Sequence, residues 1–391
     1  MFKGTLAITV LNLAAIPRRM GSSLVIVIGI AGVVGVLISV LAMAQGFLDT
    51  MSHSGRPDRA VVLRGGSQSE LASTLSRDQT VAIADGPGVK TDEGGHAIQS
   101  AEMVAVVTLP LKASGTDANV TLRGIGPQAL ELRPEMKLIA GRMFQPGLRE
   151  LIVGRAAQGQ FKGLDLGSKI AFRDNDWTVV GVFDTADSHG SEVMGDIDTV
   201  LAAYRRNLFQ SVTVMLQSPE AFEGFKSALT ADPRLAVEVL SEPDYYARLS
   251  KQLGTLLKFI GYVVGGIMAV GALFGALNTM YSAVSARTVE IATLRAIGFG
   301  AMPILVSVFV EALLLSLVGA GIGAFLAWLF FNGDAVNSLS GNFTQVVFRL
   351  DVTWPLVGLG IAWAALIGLI GGLFPALRAA RRPVVYALRA Q

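Results

Sequence analysis

The sequence predicts an α-helical membrane protein with four transmembrane helices in a 1+3 layout and a large α+β extracytoplasmic domain inserted between helices 1 and 2. Composition comes first. The 391 residues are 52% hydrophobic and 16% charged, against about 25% charged in soluble domains, and mean hydropathy is +0.54. Much of the chain is therefore solvated by something other than water. Apolar runs are the second observation. Residues 21–48, 259–286 and 352–377 carry no charge, and 296–333 is broken only by Glu311. A helix needs about 20 apolar residues to cross the hydrocarbon, so each run is long enough. Third, Lys3, Arg18, Arg19, Arg287, Arg295, Arg378, Arg381, Arg382 and Arg389 fall on one side of these spans, against Arg349 alone in 334–353. Basic residues concentrate on the cytoplasmic side. Both termini are thus expected in the cytoplasm and 49–250 outside.

Taken in order, residues 1–20 are expected to include an amphipathic helix over 6–16, lying at the inner membrane surface and ending at Pro17-Arg18-Arg19. The first span is 21–48. Ala42-Met43-Ala44 resembles a signal cleavage site. The apolar stretch is too long for a signal sequence core of about 7–15 residues, however, and three spans follow. Residues 49–250 read as a folded domain, in two lobes. Strands are expected at 59–64, 103–109, 120–125, 169–172, 177–183 and 212–216, where β-branched residues alternate or cluster. Residues 219–231 read as a helix with Phe222, Phe225 and Leu229 on one face. Gly86-Pro87-Gly88 and Gly126-Pro127 mark turns.

From Ser241-Glu242-Pro243 a helical pattern runs without a strong stop to Arg287. Such a helix of roughly 40 residues would be near 60 Å long, about twice the hydrocarbon thickness. It would form a stalk and then the second span, 256–286. Gly261, Gly265, Gly266, Gly271 and Gly275 give that span a small-residue face suited to packing on another span or another subunit. A cytoplasmic helix over 287–300, a third span over 302–332, a short outer loop over 333–352, a fourth span over 353–377 and a cytoplasmic tail over 378–391 complete the chain.

Several chemistries are excluded. A net charge of +2, without basic runs and interleaved aromatics, argues against nucleic-acid binding. The absence of cysteine removes disulfides, thiolate metal sites and cysteine nucleophiles. There is no phosphate-binding G-x-x-x-x-G-K-[ST], no G-x-S-x-G and no H-E-x-x-H. His53, His96 and His189 are far apart in sequence. The acidic stretch 184–192, with Asp196 and Asp198, lacks calcium-loop spacing and reads as a solvated polar loop. No catalytic constellation, metal site or bound cofactor is expected.

What remains is the short stretch 287–298 between the second and third spans. Val289, Ile291, Leu294 and Ile297 are apolar there, and Arg287, Glu290 and Arg295 are charged. Arginines anchor an interfacial helix on the positive side, but Glu290 gains nothing from an anionic membrane surface. A cytoplasmic partner would use it. Two polar groups lie inside the spans. Glu311 reads as a structural pair near the inner interface, holding the cytoplasmic helix, rather than as a proton relay. Asn278 reads as interhelical glue rather than a substrate ligand.

The segment Ala286-Arg-Thr-Val-Glu-Ile-Ala-Thr-Leu-Arg-Ala-Ile-Gly298 resembles the R-x-x-E-I-G-x-L-R-A-I-G signature of FtsX-like/MacB-like permease subunits of ABC transporters. Ala292 stands where the family often has Gly, and both are small. Asn12-Leu13 with Pro17-Arg18-Arg19 resembles the family's opening. Residues 141–144, 150–154, 164–167 and 177–183 are similar to the MacB-like periplasmic core, and 372–381 with Pro383 and 387–389 to its closing motif.

The resemblance implies a bacterial inner-membrane subunit driven by a separate ABC ATPase, present in two copies and holding the ATP and Mg. It implies a second permease subunit, the same chain or a similar one, and leaves room for a periplasmic adaptor and an outer-membrane channel. On this reading Arg287, Glu290, Thr293 and Arg295 contact the ATPase, with Ile291 and Leu294 as apolar plugs. The function implied is export or extraction of a substrate by mechanotransmission. The alternative is an FtsX-type relay that activates a cell-wall hydrolase. The substrate is not legible.

Overall fold

A backbone withdrawn from water must satisfy its own N–H and C=O groups, so the long apolar runs become helices. The computed structural model describes residues 9–10, 14, 20–52, 54–173, 175–185, 187–339 and 344–381. Most of the helix expected over 6–16, most of the tail expected over 378–391, and His53 lie outside the described residues.

The helices are α1 (Met20–Ser52), α2 (Arg77–Ala84), α3 (Ala129–Leu132), α4 (Arg155–Gln160), α5 (Ile197–Ala203), α6 (Ala221–Ala231), α7 (Glu242–Ala286), α8 (Thr288–Ala296), α9 (Ala301–Phe331) and α10 (Trp354–Arg381). Four of them, α1, α7, α9 and α10, are long and apolar enough to cross a membrane. The strands are β1 (Arg59–Arg64), β2 (Gln99–Pro110), β3 (Asp117–Ile125), β4 (Lys137–Gly141), β5 (Glu150–Gly154), β6 (Lys169–Phe172), β7 (Asn175–Asp184), β8 (Glu192–Asp196), β9 (Ser211–Met215), β10 (Val237–Ser241), β11 (Ala335–Leu339) and β12 (Gln345–Arg349).

The chain divides into a helical unit, Met1–Gln45, Leu256–Asp334 and Leu350–Gln391, and a sheet unit, Gly46–Thr255 and Ala335–Arg349. In the helical unit, small residues set how closely the helices approach. A Cβ at Gly319 of α9 would sit 2.8 Å from the Val27 carbonyl of α1, so only glycine permits that crossing. The glycine face expected on the second span divides in two. Gly261 and Gly265 pack against Leu41 and Leu37 of α1, while Gly266, Gly271 and Gly275 meet nothing within 4 Å. Over its most apolar 18 residues α7 is 17% buried within the chain, against 50% for α1.

The sheet unit is built on ten strands in the order β10-β1-β9-β2-β3-β8-β5-β7-β4, with β6 paired to β7. Its two expected lobes are two halves of one sheet path. The long strand β2 belongs to both, pairing with β9 over Gln99 to Glu102 and with β3 from Met103 to Pro110. Trp177, Phe161, Leu122 and Phe225 are buried in its core. Charges are buried there too. Arg123 donates to Glu70, Glu102 and Glu192 at 2.7–3.1 Å, and Arg133 donates to Glu102 at 2.7 Å. Arg59 reaches Glu135 at 2.6 Å and Glu242 at 3.2 Å. Burial alone would raise the Glu102 pKa. The guanidinium groups of Arg133 and Arg123 outweigh it and pull the carboxyl from 4.5 to about 2.

Residues 333–352, expected as a loop, contain an antiparallel hairpin in which Ala335 faces Arg349 and Leu339 faces Gln345. The hairpin is seated within the sheet unit. Thr121 Oγ1 donates to Thr344 Oγ1 at 3.0 Å, the Val347 N–H donates to Ser191 Oγ at 2.9 Å, and the Phe348 ring meets Phe47 edge-on at 5.7 Å.

Candidate functional site

The stretch singled out in the sequence is α8 with the residues on either side of it. Its end is fixed by backbone geometry. Gly298 adopts φ +101°, a left-handed conformation that costs glycine little and other residues more. The Gly298 N–H donates to the Arg295 carbonyl at 3.2 Å and the Phe299 N–H to the Leu294 carbonyl at 3.1 Å. This pair of bonds is a Schellman termination, which satisfies carbonyls that the helix leaves open. The final Ala-Ile-Gly of the motif thus has a mechanical reason.

Its start is fixed by charge. Arg287 immediately precedes α8 and is 4% exposed. Its Nη1 donates to Glu311 Oε2 at 3.1 Å and its Nη2 to Oε1 at 3.4 Å, a forked pair with a carboxylate that is itself 5% exposed. Glu311 belongs to α9, so the pair ties the first turn of α8 to that helix. Arg287 therefore faces inward, away from the surface on which the resemblance had placed it.

Seating Arg287 fixes the phase of the helix. Residues 287, 291 and 294 share its inner face. Glu290, Ile291 and Leu294, with Met280, Ala283, Val284, Ile304 and Val308, line a cavity of about 30 Å3 around the Arg287–Glu311 pair, and Ala292 is buried as well. The two expected apolar plugs thus look into their own unit. The outer face carries Val289, 47% exposed, Ile297, 68% exposed, and the exposed Thr293, while Glu290 is exposed and also lines the cavity. Val289 and Ile297, apolar positions of the stretch to which the resemblance gave no contact, are thus on the surface. The signal was the four-residue spacing of Val289, Thr293 and Ile297, usable only once the seat of Arg287 was known. Thr293 returns its hydroxyl to the Val289 carbonyl at 2.9 Å.

Glu290 lies in the first turn of α8 and Arg295 in the last, each complementing the helix dipole. Glu290 accordingly has a local role besides any contact with a partner. Arg378 of α10 stacks its guanidinium over the Tyr281 ring at 5.4 Å, close to the C-terminal end of α7. Asn278 is exposed on α7 within this single chain.

The acidic stretch 184–192 is not a solvated loop. Asp187, Ser188, His189 and Ser191 are buried, and Ala186 lies outside the described residues. No group of three or more His, Cys, Asp or Glu side chains suited to a metal ion occurs among the described residues. Burial lowers the His189 pKa, but the Asp187 carboxylate, 3.2 Å from Nδ1, outweighs burial and the net shift is upward.

A MacB-like periplasmic core domain matches residues 22–232, and an FtsX-like permease C-terminal domain matches 262–384. The chain belongs to the family of FtsX/MacB-like ABC transporter permeases. The permease is 24% identical over 390 residues to the uncharacterized ABC transporter permease YknZ of Bacillus subtilis, covering 94% of each chain. It is 26% identical over 398 residues to the macrolide export ATP-binding/permease protein MacB of Neisseria gonorrhoeae. That match covers 90% of the permease but 58% of the relative, so the permease spans little more than half the length of the MacB chains it matches. The periplasmic region of MacB from Actinobacillus actinomycetemcomitans covers 49% of the permease with 14% identity and a TM-score of 0.37, a likeness that adds nothing to the family assignment.

Proposed function

We propose that the permease converts ATP hydrolysis on a separate ABC ATPase into movement of its sheet unit, exporting or extracting a substrate. In this reading the chain sits in a bacterial inner membrane with α1, α7, α9 and α10 as spans in the 1+3 layout. Both termini and α8 lie in the cytoplasm and the sheet unit outside. Two ATPase copies serve two permease subunits. The open α7 face with Gly271, Gly275 and Asn278 is the surface for the second subunit, since small residues let helices approach closely. ATP and Mg belong to the ATPase, and this chain supplies no catalytic group. An adaptor and an outer-membrane channel are further partners in this scheme.

One observation carries the proposal. A nine-residue helix between two long apolar helices is locked at both ends, by a buried ion pair and by a Schellman turn, while Val289, Thr293 and Ile297 face outward. A helix held this firmly passes a push on its outer face to α9 instead of absorbing it. Replacing Val289 and Ile297 together by aspartate should leave the fold intact and lower ATPase stimulation by the permease at least tenfold. Unchanged stimulation discards α8 as the docking surface. The chain has no cysteine, so Thr293→Cys offers a single thiol. It should react with an impermeant reagent from the cytoplasmic side only, and reaction from outside overturns the orientation. Altered septation without altered export in a deletion strain would replace transport with the relay.

A further inference from the structure

Three stretches of chain that lead to the membrane helices converge on one short buried segment of the sheet unit. The end of α1 arrives at Ser54. The Ser188 N–H donates to the Ser54 hydroxyl at 2.9 Å, and that hydroxyl lies 2.9 Å from Ser188 Oγ. The start of α7 arrives through Tyr246, whose hydroxyl lies 3.1 Å from His189 Nε2. The hairpin arrives through β12, whose Val347 N–H donates to Ser191 Oγ at 2.9 Å. β11 continues from α9 and β12 runs on to α10, and the two strands are paired throughout. Each membrane helix therefore has a path of a few residues to segment 187–191.

The segment itself is stiff. Residues Ser188–Ser191 form a single 3-10 turn, capped by Asp187, whose carboxylate accepts from the His189 N–H at 3.0 Å. Ser188, His189, Gly190 and Ser191 are all buried. The chain then enters β8 without a break, between β3 and β5, and Arg123 holds its first residue, Glu192, at 2.7 Å. A buried hydrogen bond that loses its partner leaves a desolvated group unsatisfied, so each contact resists being drawn apart.

We infer that residues 187–191 are the receiver through which displacement of the membrane helices reaches the sheet, Ser188 holding α1, His189 holding α7 and Ser191 holding the hairpin from α9 and α10. This rests on the mechanical reading proposed above. The five residues move as one body, and β8 carries that movement to the sheet interior.

Ser54→Ala removes the α1 contact and touches neither of the others, while Ser54→Thr keeps the hydroxyl. Amide exchange is measured on the full chain in lipid nanodiscs without nucleotide. Ser54→Ala should speed exchange at least fivefold in 243–248 and 345–349 as well as in 50–56, and Ser54→Thr should match the unsubstituted chain. Acceleration confined to 50–56 overturns the receiver. In the complex with the ATPase, Ser54→Ala and Ser191→Ala should keep ATP turnover within twofold of the unsubstituted complex. They should lose the nucleotide-driven change in exchange of 192–196. A retained change overturns the receiver alone. An unsubstituted complex with no nucleotide-driven change overturns the mechanical reading, and the receiver with it.

Discussion

Buried charge is organised differently in the two units. In the sheet unit each buried arginine has more than one carboxylate or shares one. Arg123 meets Glu70, Glu102 and Glu192, Arg133 shares Glu102, and Arg59 divides between Glu135 and Glu242. In the helical unit, Arg287 and Glu311 form a buried ion pair. A network redistributes when one member is lost. A buried pair that loses one member leaves the other charge desolvated without its counterpart. The difference separates a sheet cross-linked by a charge network from a short helix, α8, whose start is tied to α9 by a buried pair.

Glu311→Ala should show the largest effect, because removing one partner of a buried pair costs about 3–5 kcal/mol. Thermal unfolding in nanodiscs reads this loss. The sharper variant is Arg287→Met with Glu311→Leu, which fills the same volume with apolar atoms and should recover most of the stability while ATPase stimulation stays low. If the double variant is as unstable as the single one, the pair does more than neutralise itself and the contrast with the sheet unit fails.

Glu102→Gln should cost less, and its cost should depend on pH. The Glu102 carboxyl titrates at about 2 when folded against 4.5 ordinarily. A depressed folded value means stabilisation that is complete above 4.5 and is lost as pH falls toward 2. The shift corresponds to about 3 kcal/mol at neutral pH. Unfolding by denaturant between pH 5 and 2 should show a stability slope in the unsubstituted chain that flattens in Glu102→Gln. Equal slopes would mean that other carboxylates, Glu70 first among them, carry the acid response.

Gly298→Ala should be smallest, about 1 kcal/mol, because alanine must enter a left-handed conformation. Its effect should be seen chiefly as a severalfold drop in ATPase stimulation. A global loss of stability comparable to that of Glu311→Ala would show that the turn, and not the ion pair, is the dominant tie on α8.

Much of the architecture was legible where one force dominated. Strands over 59–64 and 169–172 fall at the expected residues, and the unbroken pattern ahead of Arg287 is a single 45-residue helix. Strands β4, β5, β8 and β10 were not expected. β4 is exposed throughout, so no inward apolar set marked it, and β8 mixes a glycine with two acids. Alternation also misleads where core positions are occupied by Arg59, Glu102 and Arg123, since local sequence does not show that a charge has buried partners. Segment 184–192 looked solvated for the same reason. Which residues of α8 point outward was not legible, because the phase of the helix depends on Glu311, two dozen residues away and on another helix. The hairpin was hidden because β11, Ala335-Val336-Asn337-Ser338-Leu339, carries a single β-branched residue and no alternation to mark it.

The chain contains no cysteine, so the part of it assigned to the outside has no covalent staple. Its cross-links are salt bridges between strands distant in sequence. Such a scaffold assembles without oxidative enzymes and ignores reductants that would dismantle a disulfide-bonded neighbour. Its vulnerability is acid, since protons and not thiols are the reagents that undo it.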